Sequence, residues 1–430
     1  MFGLDTRQLE AIGFDYVING LTPDSPYGRE KIKQIAFLDE AALEACFDNM
    51  EKIISQIKKY EEIRPLLASL KNIRVCITKT EVLTQVDIFE IKIFLIALEK
   101  FGDIVNPMTE ALAIVDPSGL RIATFAVESP LLFSIRKEKL RMEGTDPLLI
   151  EQEVAEESRV LLEMTNKLRM YTEVFLANME IIGELDFIMA KARLALEFQA
   201  VRPAISTRGV LSFREMGNPY VAGALKDRVF TKVSLSMNNG VTIITGANMG
   251  GKSVALKTAV LNTLLCRVGF FVFAREAEVP LFDGIYLVSE DMQDVRQGLS
   301  SFGSEMTRLN EIVARLKTEF LFIALDELAR GTNPEEGAAI VRAVANHLAE
   351  SGSVCIISTH YNRVTSPRFK HYQVAGVKAS YMDYNLVEAP HDAPLPKDAL
   401  KICKLIGLDK NLLAEMEKEA NHDTNTNQRP

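Results

Sequence analysis

The stretch ITGANMGGKSVALKT, residues 244–258, constrains the fold of this chain more than any other. Its core, GANMGGKS at residues 246–253, has the spacing G-x-x-x-x-G-K-[ST] of a phosphate-binding loop. In such a loop Gly246, Gly250 and Gly251 let backbone N–H groups turn inward around phosphate oxygens, and Ala247, Asn248 and Met249 form the body of the turn. Lys252 reaches the β- and γ-phosphates, and the Ser253 hydroxyl holds Mg2+. The context fits, because VTIIT before the loop reads as a strand and SVALKTAVLNTLL after it as a helix. The helix N-terminus adds a favourable potential for an anion. The pattern predicts a bound nucleotide but does not say what the nucleotide is used for.

A second motif narrows that question. FLFIALDE, residues 320–327, is an apolar run ending in two carboxylates. Alone, Asp326 and Glu327 are equally well read as solvated acids at a strand end. Paired with the upstream loop, Asp326 is expected in the Mg2+ shell, and Glu327 is expected to polarise an attacking water. STHY, residues 358–361, follows the apolar run SVCII. A histidine at a strand end beside a nucleotide can sense a γ-phosphate, although an isolated His360 would more often be structural. GLSSFGSEM, residues 298–306, starts a helix expected to run through Leu316. Its Ser300 and Ser301 suit an ordinary N-cap or contact with a phosphate supplied from outside.

The chain has 430 residues, 47% of them hydrophobic and 25% charged, which predicts a globular protein of two or three domains. No run is long and apolar enough to span a bilayer, and MFGLDTRQLEAIGF lacks the pattern of an export signal. Cys46, Cys76, Cys266, Cys355 and Cys403 are scattered without metal-ligand spacing, so a cytoplasmic protein with reduced thiols is expected. The net charge of −9 argues against a dedicated DNA binder, whose affinity comes largely from Lys and Arg.

Along the chain, residues 1–128 read as a helical core domain, with Leu43, Cys46, Phe47, Met50, Ile53, Ile54 and Ile57 at helical spacing. LTPDSPYGREKI reads as a turn and a helix start, and residues 112–127 as a small hairpin around Asp116 and Gly119. Ser129 and Pro130 form an N-cap signal. Residues 129–200 read as long helices interrupted near Gly144–Pro147. Leu161, Leu168, Phe175, Ile182 and Met189 are seven apart, and Met164, Tyr171, Leu185 and Ala192 form a companion seam in which only Asn178 is polar. The pattern predicts one helix of about 40 residues, about 60 Å long. It reads equally as a core helix in a bundle or as a lever between domains. From residue 201 to 420, the runs VTIITG, EVPLFDGIYLV, FLFIALDE and SVCIISTH alternate with helices, which argues for an α/β domain with a largely parallel sheet. The tail, residues 421–430, is polar and expected to be disordered.

TGANMGGKS, GLSSFGSEM, LDELARGTNPEEG and STHY stand in the order and spacing of the MutS family of ATPases, which this chain resembles closely over residues 201–420. The last segment, DYNLVEAPHDAPLPKDALKICKLIGLDKNLLAEMEKEA, resembles that family's strand and dimerising helix-turn-helix. VDPSGLRIATFAVESPLLFSIRKEKL is similar to the core and lever region of the branch not devoted to mismatch repair. The resemblance implies a helical core and lever followed by an ABC-type P-loop ATPase domain, with ATP and Mg2+ as cofactors. It implies a dimer, of like or related subunits, in which Ser300 and Ser301 of one subunit contact the γ-phosphate held by the other. It further implies Asn248 as a loop-conformation residue, Glu327 as the catalytic carboxylate and His360 as the γ-phosphate sensor. The adenine is expected near Val229 and Phe230.

Several positions depart from the family pattern. Ala247 replaces a usual proline, Ala329 a glycine and Asn333 a serine or threonine. The chain is expected to open in the helical core without a stretch resembling a mismatch-reading domain, and to carry no nuclease module. In place of a long DNA clamp stands EGTDPLLIEQEVAEES, which is acidic, carries no Lys or Arg and is expected to repel phosphate. Two functions follow from the resemblance. The first is a dimeric, DNA-associated ATPase. The second is a DNA-independent ATPase that remodels a protein client, since short MutS-like proteins are associated with B12-dependent amino-acid aminomutases as reactivating chaperones.

Overall fold

The computed structural model describes residues 2–105, 129–141, 144, 146–225, 229–246, 251–289, 301–378, 381–394 and 398–426. The expected hairpin at 112–127 lies outside them. By internal contacts the chain divides into two units. One comprises residues 1–20, 36–43 and 197–430, and the other comprises residues 21–35 and 44–196. This division departs from the sequence reading, which placed all of 1–128 in one helical domain.

Among the described residues the first unit holds ten strands: β1 (Ala204–Ser206), β2 (Leu211–Met216), β3 (Val233–Met237), β4 (Gly240–Thr245), β5 (Glu276–Pro280), β6 (Gly284–Val288), β7 (Leu321–Asp326), β8 (Val354–Thr359), β9 (Lys370–Val377) and β10 (Met382–Glu388). Six form a sheet in the order β10-β9-β4-β8-β7-β6, parallel throughout except for β10 at the edge. Every residue of β4, β6, β7 and β8 is buried, which is why these strands read as unbroken apolar runs. Their core joins Ile243, Leu325 and Ile357 to Val341 and Leu348 of the helix Pro334–Ala349.

The register sets Asp326 of β7 opposite Ser358 of β8, and Thr245 of β4 opposite Thr359 of β8. The loop after β4, the acids ending β7 and the STHY segment ending β8 therefore emerge together at the C-terminal edge of the sheet. Ligands bind at this edge in open α/β folds.

The other four strands form a second sheet, β1-β5-β2-β3. The run EVPLFDGIYLV, read as a single strand, is thereby split: β5 joins the small sheet and β6 the large one. Pro280 ends β5 with no N–H to offer, and the Asp283 carboxylate accepts the N–H of Phe320 at 2.7 Å, tying the start of β6 to β7.

The N-terminal twenty residues belong to this unit. Asp5 caps the helix Thr6–Ile12 in a reciprocal box with Gln8. The buried Gln8 amide also donates to the Leu287 carbonyl of β6 at 2.7 Å. Ile285 N–H donates to the Phe2 carbonyl, and Phe2, Leu4, Ile12 and Phe14 are buried. Helical spacing alone could not say which surface covers them.

The second unit is helical. Ser25, Ser129 and Asp146 cap helices that open with Pro26, Pro130 and Pro147, as the sequence signals indicate. Instead of one helix of about 40 residues, there are two, Pro147–Arg169 and Thr172–Phe198, broken at Met170–Tyr171. The Arg169 carbonyl finds a partner at the break, and the Arg169 side chain ties the break to residues 80 and 81. Thr172 Oγ1 donates to the Arg169 carbonyl at 2.9 Å, while the Arg169 guanidinium donates to the carbonyls of Thr80 and Glu81. Leu168, Phe175, Ile182 and Met189 stay buried on both sides of it. Leu185 through Ala192 are buried without interruption, so this stretch of the helix is covered on all sides.

Three of the six acids in the segment expected to repel phosphate are paired within the chain. Glu153 pairs with Arg136 at 3.0 Å and Lys139 at 2.6 Å, Glu157 pairs with Arg136, and Glu156 pairs with Arg159 at 2.7 Å. At the C-terminus, helices span Ala399–Leu405 and Lys410–Thr426, the second continuing into the segment expected to lack structure. No helix among the described residues is long and apolar enough to cross a membrane.

Candidate nucleotide site

Gly246 leaves β4 with φ +147°, and a Cβ there would lie 3.0 Å from the Val374 side chain. Residues 247–250, and with them Ala247, Asn248, Met249 and Gly250, lie outside the described residues. Gly251, at φ +84°, is the N-cap of the helix Lys252–Arg267. A Cβ on Gly251 would come within 2.9 Å of the Tyr384 ring, so both backbone angle and close approach require glycine there.

Lys252 is 3% exposed, and its ammonium donates to the Gly246 carbonyl at 2.9 Å while standing 3.3 Å from Glu327 Oε1. Ser253 Oγ donates to Asp326 Oδ1 at 2.8 Å, so the two residues assigned to Mg2+ from sequence are brought together. Ser358, which the sequence reading passed over, also donates to Asp326 Oδ1, at 2.6 Å. The same hydroxyl accepts the Glu327 N–H at 3.1 Å. Ser358 thus fixes both acids from β8; its place in the STHY motif, two residues before His360, was the available signal.

Glu327 has φ +51°, a left-handed backbone that is unfavourable for a residue with a Cβ. Its carboxylate lies between two cations, Arg330 at 3.2 Å and Lys252 at 3.3 Å, with the His360 ring at 3.8 Å. Glu327 Oε2 and His360 Nδ1 are buried and lack a hydrogen-bond partner among the described residues. Burial lowers the His360 pKa below the ordinary imidazole range, with Lys252 and Arg330 acting in the same direction and Glu327 opposing. The ring is therefore neutral near pH 7.

No cluster of three or more His, Cys, Asp or Glu able to hold a metal occurs among the described residues. A magnesium ion suits the site nonetheless, because Mg2+ takes few protein oxygens and completes its shell with phosphates and water. The convergent Ser253 hydroxyl and Asp326 carboxylate supply that donor set.

Beside these groups lies a cavity of about 410 Å³ lined by Val221, Leu225, Val229, Phe230, Tyr384, Lys252, Ser253 and Glu327, among others. Val229 and Phe230, expected near the adenine, both reach it, but Val229 is 95% exposed and stands at its rim. Tyr384 had no sequence signal, because β10 brings it to the loop from far along the chain. Ser300 lies outside the described residues, and Ser301 is the first residue of the helix Ser301–Arg315.

Two departures from the family pattern have local explanations. Asn333 caps the helix Pro334–Ala349, accepting the Glu335 N–H at 2.9 Å, a role a serine or threonine fills equally. Ala329 has φ +61°, the left-handed region where glycine costs less.

Residues 242–392 match MutS domain V. The chain is 34% identical over 274 residues to a protein of Caldicellulosiruptor bescii named Endonuclease MutS2, covering 62% of this chain and 34% of that protein. It is 30% identical over 267 residues to the Endonuclease MutS2 of Brevibacillus brevis, covering 61% of this chain and 34% of the relative. The matched region thus spans about a third of the length of these curated relatives. With the phosphate loop, the paired acids and the histidine gathered at one sheet edge, these matches show that the chain carries a region similar to MutS domain V.

Proposed function

We propose that the chain is a Mg2+-dependent ATPase that couples ATP binding and hydrolysis to movement of its helical unit. The observation carrying this reading is the convergence of Lys252, Ser253, Asp326 and Glu327 at the ends of β4 and β7. ATP phosphates in the loop compete with Glu327 for the Lys252 ammonium, and Glu327 is then released to face a water. When bound, Mg2+ neutralises charge developing on the β- and γ-phosphates; Ser253 and Asp326 hold it. Glu327 orients the water and accepts its proton as the water oxygen bonds to the γ-phosphorus. The bond from that phosphorus to the β–γ bridging oxygen breaks, and ADP and phosphate leave. Neutral His360 offers a ring N–H to a γ-phosphate oxygen. Phe230 and Tyr384 form apolar walls for the adenine, with Val229 at the rim, and Asn248 shapes the loop.

The same reading has the protein act as a cytoplasmic dimer, of two copies or with a related subunit, in which Ser300 and Ser301 reach the partner's γ-phosphate. Leu405, Ile406, Leu412 and Met416 are exposed on and beside the two C-terminal helices, which supports a dimerising role for them. DNA is the first candidate for what the helices grip, in keeping with the family. The net charge of −9 favours a second reading, a protein client such as a B12-dependent aminomutase.

Phosphate release by the wild type and by Lys252→Ala tests the ATPase, since equal rates would rule out the loop. Repeating the assay with duplex, mismatched and branched DNA at low salt separates the clients. Phosphate contacts are strongest there, so DNA that neither binds nor changes turnover excludes the first. Co-purification of a metabolic enzyme would then support the second.

A further inference from the structure

Two residues in the segment after β7 have left-handed backbones, Glu327 at φ +51° and Ala329 at φ +61°. Neither is glycine, so the conformation must be held by its surroundings. The Ala329 peptide is gripped from both sides. Its N–H donates to Glu305 Oε2 at 3.0 Å, and its carbonyl accepts from the Tyr361 hydroxyl at 2.7 Å and from Thr332 Oγ1 at 2.8 Å. Glu305, Ala329 and Tyr361 are all buried.

Each clamp comes from a different element. Glu305 lies on the helix Ser301–Arg315, and Tyr361 directly follows His360 after β8. The tyrosine's approach depends on Gly337, since a Cβ there would lie 2.4 Å from the Tyr361 hydroxyl oxygen. The turn that carries the Glu327 carboxylate is therefore held in part by a glutamate of the helix Ser301–Arg315, away from the loop that holds Lys252 and Ser253.

We propose that Glu305 is a positioning residue for hydrolysis. Its carboxylate, opposed by the Tyr361 hydroxyl, holds the Ala329 peptide and through it the left-handed turn that directs Glu327 at the γ-phosphate. The inference rests on the ATPase reading and deepens it. It couples the helix Ser301–Arg315 to the catalytic turn of the same chain. Any displacement of that helix moves the peptide two residues from Glu327.

The test is steady-state ATP hydrolysis by the full chain, with melting temperature measured in parallel. Glu305→Ala should lower kcat about tenfold, with KM for ATP and the melting temperature little changed. Glu305→Gln, whose amide oxygen still accepts the Ala329 N–H, should keep kcat within about threefold of wild type. Ala329→Gly in the Glu305→Ala background should restore part of the rate, because glycine adopts the left-handed turn without the clamp. A kcat loss under about threefold, a matching rise in KM, or a loss that neither glutamine nor the glycine relieves would overturn the proposal. Should Glu305→Ala fail to fold, Tyr361→Phe decides, since it deletes only the hydroxyl on the Ala329 carbonyl. A lower kcat at constant KM supports the clamp, and an unchanged kcat overturns it. Absence of wild-type turnover would remove the ATPase reading and this inference together, whereas wild-type turnover with an indifferent Glu305→Ala removes this inference alone.

Discussion

The two ends of the candidate site are built on different physical principles. At the phosphate end, Lys252, Ser253, Asp326, Glu327 and Ser358 are tied by contacts of 2.6 to 3.3 Å. At the cavity end, Val221, Leu225, Phe230 and Tyr384 form an apolar and aromatic lining. Polar contacts depend on register: a slip of one residue in β7 would turn Asp326 away from Ser358. Apolar burial has no preferred direction and tolerates small displacements. Substitutions at the first end should therefore act on turnover, and those at the second on affinity.

The largest effect expected is that of Glu327→Gln, which should bind ATP yet hydrolyse it at least about a hundredfold more slowly. Single-turnover rates beside nucleotide titration read both, and wild-type turnover would remove Glu327 from its role. Ser358→Ala should cut kcat about tenfold and raise the Mg2+ concentration needed for half-maximal rate, since it frees Asp326 from one of its two hydroxyl donors. An unchanged magnesium dependence would mean that the grip of Ser358 from β8 is unnecessary, with Ser253 alone positioning the acid.

Tyr384→Ala should weaken nucleotide binding about tenfold while leaving kcat nearly intact. A fall in kcat instead would erase the contrast between the two ends. The pH dependence sharpens it further. His360 is held neutral below the ordinary imidazole range, so turnover should stay level through that range as pH falls and decline only beneath it. The unfolded chain protonates this imidazole first, so its contribution to stability is full above the ordinary imidazole value and is lost as pH falls from there toward the depressed folded value. Rate against pH for wild type and His360→Asn checks this, and identical profiles would count against a histidine sensor. Smallest of all should be Val229→Ser, which at the exposed rim should shift affinity by less than about twofold.

The sequence made some parts of this molecule plain and hid others for identifiable reasons. VTIIT, FLFIALD and SVCIIST were legible because buried parallel strands must be apolar on both faces. The acids and the loop were legible because their chemistry lies in adjacent residues. EVPLFDGIYLV was misread as one strand, since only distant partners decide which sheet each half joins. The break at Met170–Tyr171 was hidden because the apolar stripe runs through it unchanged. Tyr384 and the placement of the first twenty residues depend on tertiary approach, which no local pattern encodes.

The contact between Gly337 and Tyr361 has a consequence for how related chains can vary. A hydroxyl where a Cβ would otherwise stand makes the two positions mutually exclusive in size. A relative with alanine or larger at the position of Gly337 should lack a tyrosine at the position of Tyr361, and reverting either alone should be more damaging than changing both. Substitutions at these two sites should therefore appear in descent as a pair, although they stand 24 positions apart in the chain.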